Sequence, residues 1–245
     1  MNIYSMTHAG RIRKNNEDSI YVSGESFPLL AIICDGMGGH LGGKTASEMA
    51  VKLIVEKIAS YGITLLNKRA LSRILIETSR EIYRKSLTDA DLYQMGTTCV
   101  ISIIYDKSML IGSAGDSRIY RFRDGELSRL THDDSYVQVW IDNKILTEQE
   151  ARTNPHRNII TKALGMEKLQ VECTEHSFRQ GDVILMCSDG LSNHVYDEEL
   201  SKYLKDDDDP YFIVNDLVDL AMNRGGTDNI SVIVISNSGG DSIDR

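Results

Sequence analysis

The chain has little of what would tie it to a membrane, an oxidising compartment, a zinc site or a nucleic acid. Four cysteines occur in 245 residues, Cys34, Cys99, Cys173 and Cys187, and no two have the spacing of metal ligands. Three of them sit within apolar, strand-like runs, the setting of buried reduced thiols in a cytosolic protein. The opening residues Met1-Asn2-Ile3-Tyr4-Ser5 lack the basic-then-apolar pattern of a signal peptide. No apolar run approaches the roughly 20 residues that a membrane-spanning helix needs. Basic residues are in deficit, 27 against 36 acidic ones, and the net charge of -9 argues against a nucleic-acid polyanion as the main ligand. The expectation is a soluble, cytoplasmic monomer that binds neither nucleic acid nor membrane.

What is present suits a packed globular core, with 41% apolar and 26% charged residues. There is no repeat, linker or composition break, so residues 1–235 read as one domain and 236–245 as a polar C-terminal tail. Strands are expected at 19–23 and 29–34, then amphipathic helices at 45–59 and 68–86. Short strands follow at 97–105, 109–114, 118–122 and 126–130, the last two joined by an Asp124-Gly125 hairpin turn. Residues 131–167 are polar and irregular around Trp140, which fits a functional flap and equally a variable surface loop. Strands resume at 169–176 and 182–187. A helical segment near 197–204, an acidic turn at 206–210, a helix carrying Phe212, Ile213, Leu217, Ala221 and Met222, and a strand at 230–235 complete the chain. Close-set strands with short turns mean antiparallel pairing. The expected fold is α+β, a central antiparallel β-sandwich flanked on both faces by antiparallel helix pairs, in four αββα layers.

The most distinctive stretch is Asp35-Gly36-Met37-Gly38-Gly39-His40, which directly follows the unbroken apolar run Leu29–Cys34. An acid thus stands at the end of a buried strand, before a turn almost free of side chains. The same arrangement recurs at Asp116 and at Asp189, while Asp228 precedes the apolar strand 230–235, and Glu17 and Asp18 precede a further strand. Any one Asp-Gly turn is ordinary turn chemistry. Repetition against apolar strands suggests acids gathered at one edge of a sandwich. An oxygen-only donor set, with no His or Cys at ligand spacing, favours Mg²⁺ or Mn²⁺ over zinc. Two such ions sharing a carboxylate could activate a water against a phosphate ester, with Arg13 as the fork for its oxygens.

The motifs GRIRKNNEDS (10–19), DGMGGHLGGKTAS (35–47), MGTT (95–98), GDSRIY (115–120), LTHDDS (130–135), NIITKALG (158–165), DVILMCSDGLS (182–192) and GGTDNIS (225–231) run in one order along the chain. Together they closely resemble the PPM, or protein phosphatase 2C-type, family of metal-dependent serine/threonine phosphatases, in its compact bacterial branch. The resemblance implies the sandwich fold and a phosphatase acting on phosphoserine and phosphothreonine in proteins, opposing a bacterial Ser/Thr kinase. It implies two Mg²⁺ or Mn²⁺ ions bridged by Asp35, with the Gly36 carbonyl on one and Asp189 and Asp228 completing the other site. Asp116, with Asp189, matches a weaker third ion. Glu17 and Asp18 would act through waters or support the ligands, and Arg13 would bind phosphate. Attack by a bridging water would proceed in line, without a phosphoenzyme.

Two positions depart from the pattern. Met37 stands where animal members carry a histidine proposed as general acid, and Asp134 stands where bacterial members usually have histidine. His40 either orders the glycine turn or donates a proton. Two other readings compete with a protein phosphatase. One is a pseudophosphatase serving as a phosphoprotein-binding module, which would be expected to have lost Asp35, Asp189 or Asp228. The other is a metal-dependent hydrolase of small phosphate esters.

Overall fold

The computed structural model describes residues 1–38, 42–171, 173–205 and 209–237. Its strands are β1 (Asn2–His8), β2 (Ser19–Val22), β3 (Leu29–Cys34), β4 (Gly36–Met37), β5 (Gly96–Thr97), β6 (Cys99–Ile104), β7 (Ser108–Ala114), β8 (Arg118–Arg123), β9 (Glu126–Arg129), β10 (Cys173–Ser177), β11 (Val183–Cys187) and β12 (Ile230–Ser236). Its helices are α1 (Gly42–Tyr61), α2 (Lys68–Ser86), α3 (Tyr136–Asp142), α4 (Glu148–Thr153), α5 (Asp189–Ser192), α6 (Asp197–Lys205) and α7 (Pro210–Asn223). The strands form two antiparallel sheets, ordered β1-β12-β11-β8-β9 and β10-β7-β6-β3-β2, with β4 and β5 as a separate ribbon.

Apolar side chains leave the strands in both directions, which explains why β3, β11 and β12 read as unbroken apolar runs although their pairing is antiparallel. In β3, Leu29, Ala31 and Ile33 face the space between the sheets, where Ile184, Met186, Ile233 and Ile235 meet them. Leu30, Ile32 and Cys34 face the other way, into a second core with Ala46, Ala50 and Ile54 of α1 and Leu71 and Leu75 of α2. On the far sheet, Leu185, Val232 and Val234 pack on Ile213, Leu217 and Ala221 of α7. Three apolar layers between four layers of structure are the expected αββα sandwich. Each fully buried Leu or Ile contributes about 1.5–3 kcal/mol.

Local signals fix several boundaries. Asn67 caps α2 by accepting from the Ala70 amide at 3.0 Å. Asp124 and Gly125 turn β8 into β9 with φ of 53° and 84°, the left-handed pair of a tight hairpin. Among the described residues, no helix is long and apolar enough to cross a membrane.

Some sequence expectations need correction. The first strand is β1, not the segment at 19–23. It lies at a sheet edge, paired with β12 and half-buried on both faces, so it shows no clean alternation. The strand expected at 97–105 is broken at Thr98, whose amide and hydroxyl bond the backbone of Asp35. The strand expected from 169 begins at Cys173, because Leu169 and Val171 turn into the core under α2. Phe212 is exposed, since the buried stripe of α7 runs through Ile213, Val214, Leu217, Val218 and Ala221. Ser236, assigned to the tail, closes β12, and the remainder of the tail lies outside the described residues.

Candidate active site

The sandwich brings five strand ends to one edge, around a cleft of about 450 Å³. Its walls include Arg13, Glu17, Asp35, Gly36, Asp116, Asp189 and Asp228, with Asn158 and Ile160 arriving from the flap. The acids come from positions scattered along the chain, and topology alone assembles them.

Asp35 joins β3 to β4, and its backbone is pinned on both sides. Its amide donates to Thr98 Oγ1 at 3.0 Å, and its carbonyl accepts from the Thr98 amide and Thr97 Oγ1, each at 2.8 Å. Asp189 opens α5 and accepts from Asn193 Nδ2 at 3.0 Å through one carboxylate oxygen. Its other oxygen is buried with no partner. Asp228 accepts from its neighbour's amide, that of Asn229, at 2.8 Å and from Arg13 Nη2 at 2.8 Å. Glu17 lies against the first turn of α1. A Cβ on Gly43 would collide with the Glu17 carboxylate and come within 2.9 Å of the Gly36 carbonyl, so glycine there leaves room for both oxygen donors.

Asp18 does not line the cleft. It is buried behind it and accepts from Ser188 Oγ at 2.9 Å and Ser231 Oγ at 2.6 Å, with its other oxygen unpartnered. Burial pushes it up to about 6, against the pull of the two serine hydroxyls.

The electrostatics are those of crowded anions. Burial, followed by repulsion from Asp18, Asp189, Asp116 and Asp228, holds Asp35 well above the usual carboxylate range. Burial and then Asp116, Asp228 and Asp18 do the same to Asp189. Asp116 is raised to about 6, by burial and Asp133, with Arg118 opposing. Arg13 is raised by its bond to and attraction toward Asp228. Among the described residues no three His, Cys, Asp or Glu side chains form a ready metal cage. A hard divalent ion needs none, since it takes one or two carboxylates with carbonyl and water oxygens. The orphaned Asp189 oxygen, the opened approach to the Gly36 carbonyl and the mutual repulsion of the acids all fit a cation between them.

Sequence reasoning missed the residues that hold these acids. Asn229 is buried and clamps the Arg13 segment. It donates to the carbonyls of Ala9 and Asn15, both at 2.9 Å, and accepts from the Glu17 amide at 2.8 Å. Behind Asp116, Arg118 forks onto Asp133, at 2.6 Å from Nη2, and also donates to Tyr120. Asp134 has a definite place. It accepts from Lys162 Nζ at 2.6 Å, and backbone bonds tie it to Gly115 and Thr161, so it staples the flap to the Asp116 turn. The GDSRIY, LTHDDS, NIITKALG and GGTDNIS motifs held these residues, but nothing in them revealed partners so distant. His40 lies outside the described residues.

A cleft of converging acids with an arginine at its mouth defines a candidate phosphoryl-transfer hydrolase. The comparisons with known proteins agree. The sequence model of the family described as Protein phosphatase 2C matches residues 8–213. "Serine/threonine phosphatase stp" of Listeria monocytogenes is 34% identical over 235 residues, covering 94% of this chain and 93% of its own. The crystal structure of the Mycobacterium tuberculosis serine/threonine phosphatase PstP/Ppp superimposes with a TM-score of 0.86 at 32% identity, covering 97% of this chain and 98% of that one. A structure of the PstP catalytic domain in complex with 2 manganese ions matches with a TM-score of 0.83 at 31% identity, covering 95% and 96% of the two chains. The chain belongs to the protein phosphatase 2C family, and it is a phosphatase.

Proposed function

We propose that this protein hydrolyses phosphoserine and phosphothreonine on proteins, as a metal-dependent phosphatase whose catalytic unit runs to the end of β12 at Ser236. The observation that carries this reading is the convergence of Asp35, Asp116, Asp189 and Asp228 with Arg13 on one cleft. Two Mg²⁺ or Mn²⁺ ions would be held by Asp35, the Gly36 carbonyl, Asp189 and Asp228, with Glu17 supporting through water and Asp116 offering a weaker third site with Asp189. Bound there, they would supply an activated water at neutral pH and neutralise charge on the transferred phosphoryl group.

The chain's own groups do the rest. Thr97 and Thr98 fix the backbone of Asp35, so its carboxylate direction is set by the fold. Asp18, with Ser188 and Ser231, supports the acids from behind. Arg13 forks onto phosphate oxygens and orients the ester for in-line attack. The flap, stapled by Asp134 and Lys162, brings Asn158 and Ile160 over the cleft. The substrates would be phosphoproteins produced by a Ser/Thr kinase.

The test is turnover of a phosphothreonine peptide and of p-nitrophenyl phosphate. EDTA should abolish both, and Mn²⁺ should restore both. Turnover indifferent to chelation would overturn the metal assignment, and metabolite phosphates outcompeting phosphopeptides would overturn the protein-substrate assignment.

A further inference from the structure

The β4–β5 ribbon separates two hollows. On one side lies the acidic cleft. On the other is a cavity of about 400 Å³ lined largely by apolar groups. Met37 lines both, and its position two residues past Asp35 makes it the shared wall. Leu164 bridges to the ribbon, exchanging bonds of 2.9 Å with Thr97 in each direction, and lines the cavity with buried Met95. At the open rim stand Tyr93 and Leu87, 62% and 59% exposed. Such exposure of large apolar side chains beside an apolar hollow marks a binding surface more than a core defect.

The rim is tied to the catalytic turn. A Cβ on Gly38 would lie 2.8 Å from Met95 Cα, so the backbone at 95 rests directly on the turn that follows Asp35. Gln94, next to it, is held at a φ of 60°, a conformation a non-glycine residue adopts only when its surroundings impose it. The cavity is therefore fixed relative to the acids.

We propose that this cavity receives a bulky apolar side chain of the substrate phosphoprotein, a short way along the chain from the phosphorylated Ser or Thr. The proposal rests on the phosphatase reading above. The cavity's place directly beside the cleft, across the shared wall of Met37, is what assigns the occupant. A substrate chain anchored by its phosphoryl group must leave across the cleft wall. An extended chain advances roughly 3.3 Å per residue, so it is a flanking side chain, not the phosphorylated one, that reaches the rim. The cavity thus selects flanking sequence, which the acids and Arg13 cannot do, since they see only the phosphoryl group.

The experiment uses the full chain with Mn²⁺ and phosphothreonine peptides carrying Phe or Ala at each flanking position in turn. The wild type should prefer Phe at one position by roughly tenfold in kcat/KM. Tyr93→Ser and Leu87→Asp, both at exposed sites, should each reduce that preference to within about twofold while leaving p-nitrophenyl phosphate turnover unchanged. A flat flanking profile in a wild type that hydrolyses p-nitrophenyl phosphate overturns the proposal, as does a preference that survives both substitutions. A wild type inactive on p-nitrophenyl phosphate would instead overturn the phosphatase reading.

Discussion

Arg13 donates to Asp228 at 2.8 Å, so the guanidinium at the mouth of the acidic cleft is held by a member of the acidic cluster itself. The pair holds the guanidinium beside the cleft before any phosphate arrives, which reduces the ordering cost of binding. Arg13→Ala should therefore weaken substrate binding more than the chemical step. KM for a phosphopeptide should rise roughly tenfold, the scale of a charge-assisted hydrogen bond, with a smaller change in kcat. Steady-state kinetics checks this, and an unchanged KM with a collapsed kcat would remove Arg13 from phosphate binding.

Asp35→Asn should lower turnover of p-nitrophenyl phosphate by at least about a hundredfold. The backbone bonds to Thr97 and Thr98 do not involve the side chain, so the far-UV circular dichroism spectrum should be unchanged. Calorimetric titration with Mn²⁺ should show weaker binding. Near wild-type turnover would sink the assignment of Asp35 to the metals.

These residues were legible because each acid follows or precedes an apolar strand, and a strand end is a fixed place in a sandwich. The helix at 68–86 and the strand at 29–34 were legible for a related reason, since their periodicities are long or their apolar runs unbroken. Strand β1 was not, because an edge strand half-covered on both faces has no side that must be apolar. The supports of the site were also hidden. Asn229 serves the carbonyls of Ala9 and Asn15, and Ser188 serves Asp18, across sequence separations of 220, 214 and 170 residues. No local pattern encodes such pairings. The role of Asp134 needed the flap's folded path, which returns Lys162 to it. Family resemblance supplied the roles of individual acids, which spacing alone left at the level of a metal-binding carboxylate cluster.

Far from the cleft, Arg123 forks onto Asp182 through two bonds of 2.5 Å, and Asp182 is fully buried. Asp182 also accepts from the Arg179 amide at 2.9 Å. Asp182→Ala would leave that amide unpaired and the guanidinium with only its two bonds to Ser177, and should destabilise the fold by about 3 kcal/mol. Urea unfolding measures the loss, and kcat of the fraction still folded should stay near wild type. A loss below about 1 kcal/mol would show that water replaces the carboxylate without difficulty.

Glu199 receives both Arg224 Nη atoms, at 2.6 and 2.7 Å, and is depressed from 4.5 to about 2, first by those bonds and then by the Tyr196 amide. A depressed carboxylate contributes stability that is present above its unfolded value and lost as pH falls through its folded value. The contribution should therefore be complete above about pH 5 and disappear toward pH 2. The pair is partly exposed, so its size should be only about 1 kcal/mol. The stability difference between wild type and Glu199→Gln, followed by urea unfolding from pH 6 downward, should shrink across that window. A difference that stays constant would mean the depression does not exist in solution.

Asn229 gives the sharpest separation between holding the site and doing its chemistry. Its amide nitrogen donates to the carbonyls of Ala9 and Asn15 and its oxygen accepts from the Glu17 amide, so one buried side chain fastens both ends of the segment that carries Arg13. Asn229→Asp keeps the shape and the acceptor but replaces both donors with an oxygen facing two carbonyls. Two lost donations and a repulsive contact should cost about 2–4 kcal/mol in urea unfolding. They should also loosen the Arg13 segment, so KM for a phosphopeptide should rise in parallel with the Arg13→Ala effect. Combining Asn229→Asp with Arg13→Ala should then raise KM no further than Arg13→Ala alone, because a loosened loop has no guanidinium left to misplace. Additive effects on KM would show that Asn229 acts on substrate binding by a route other than Arg13.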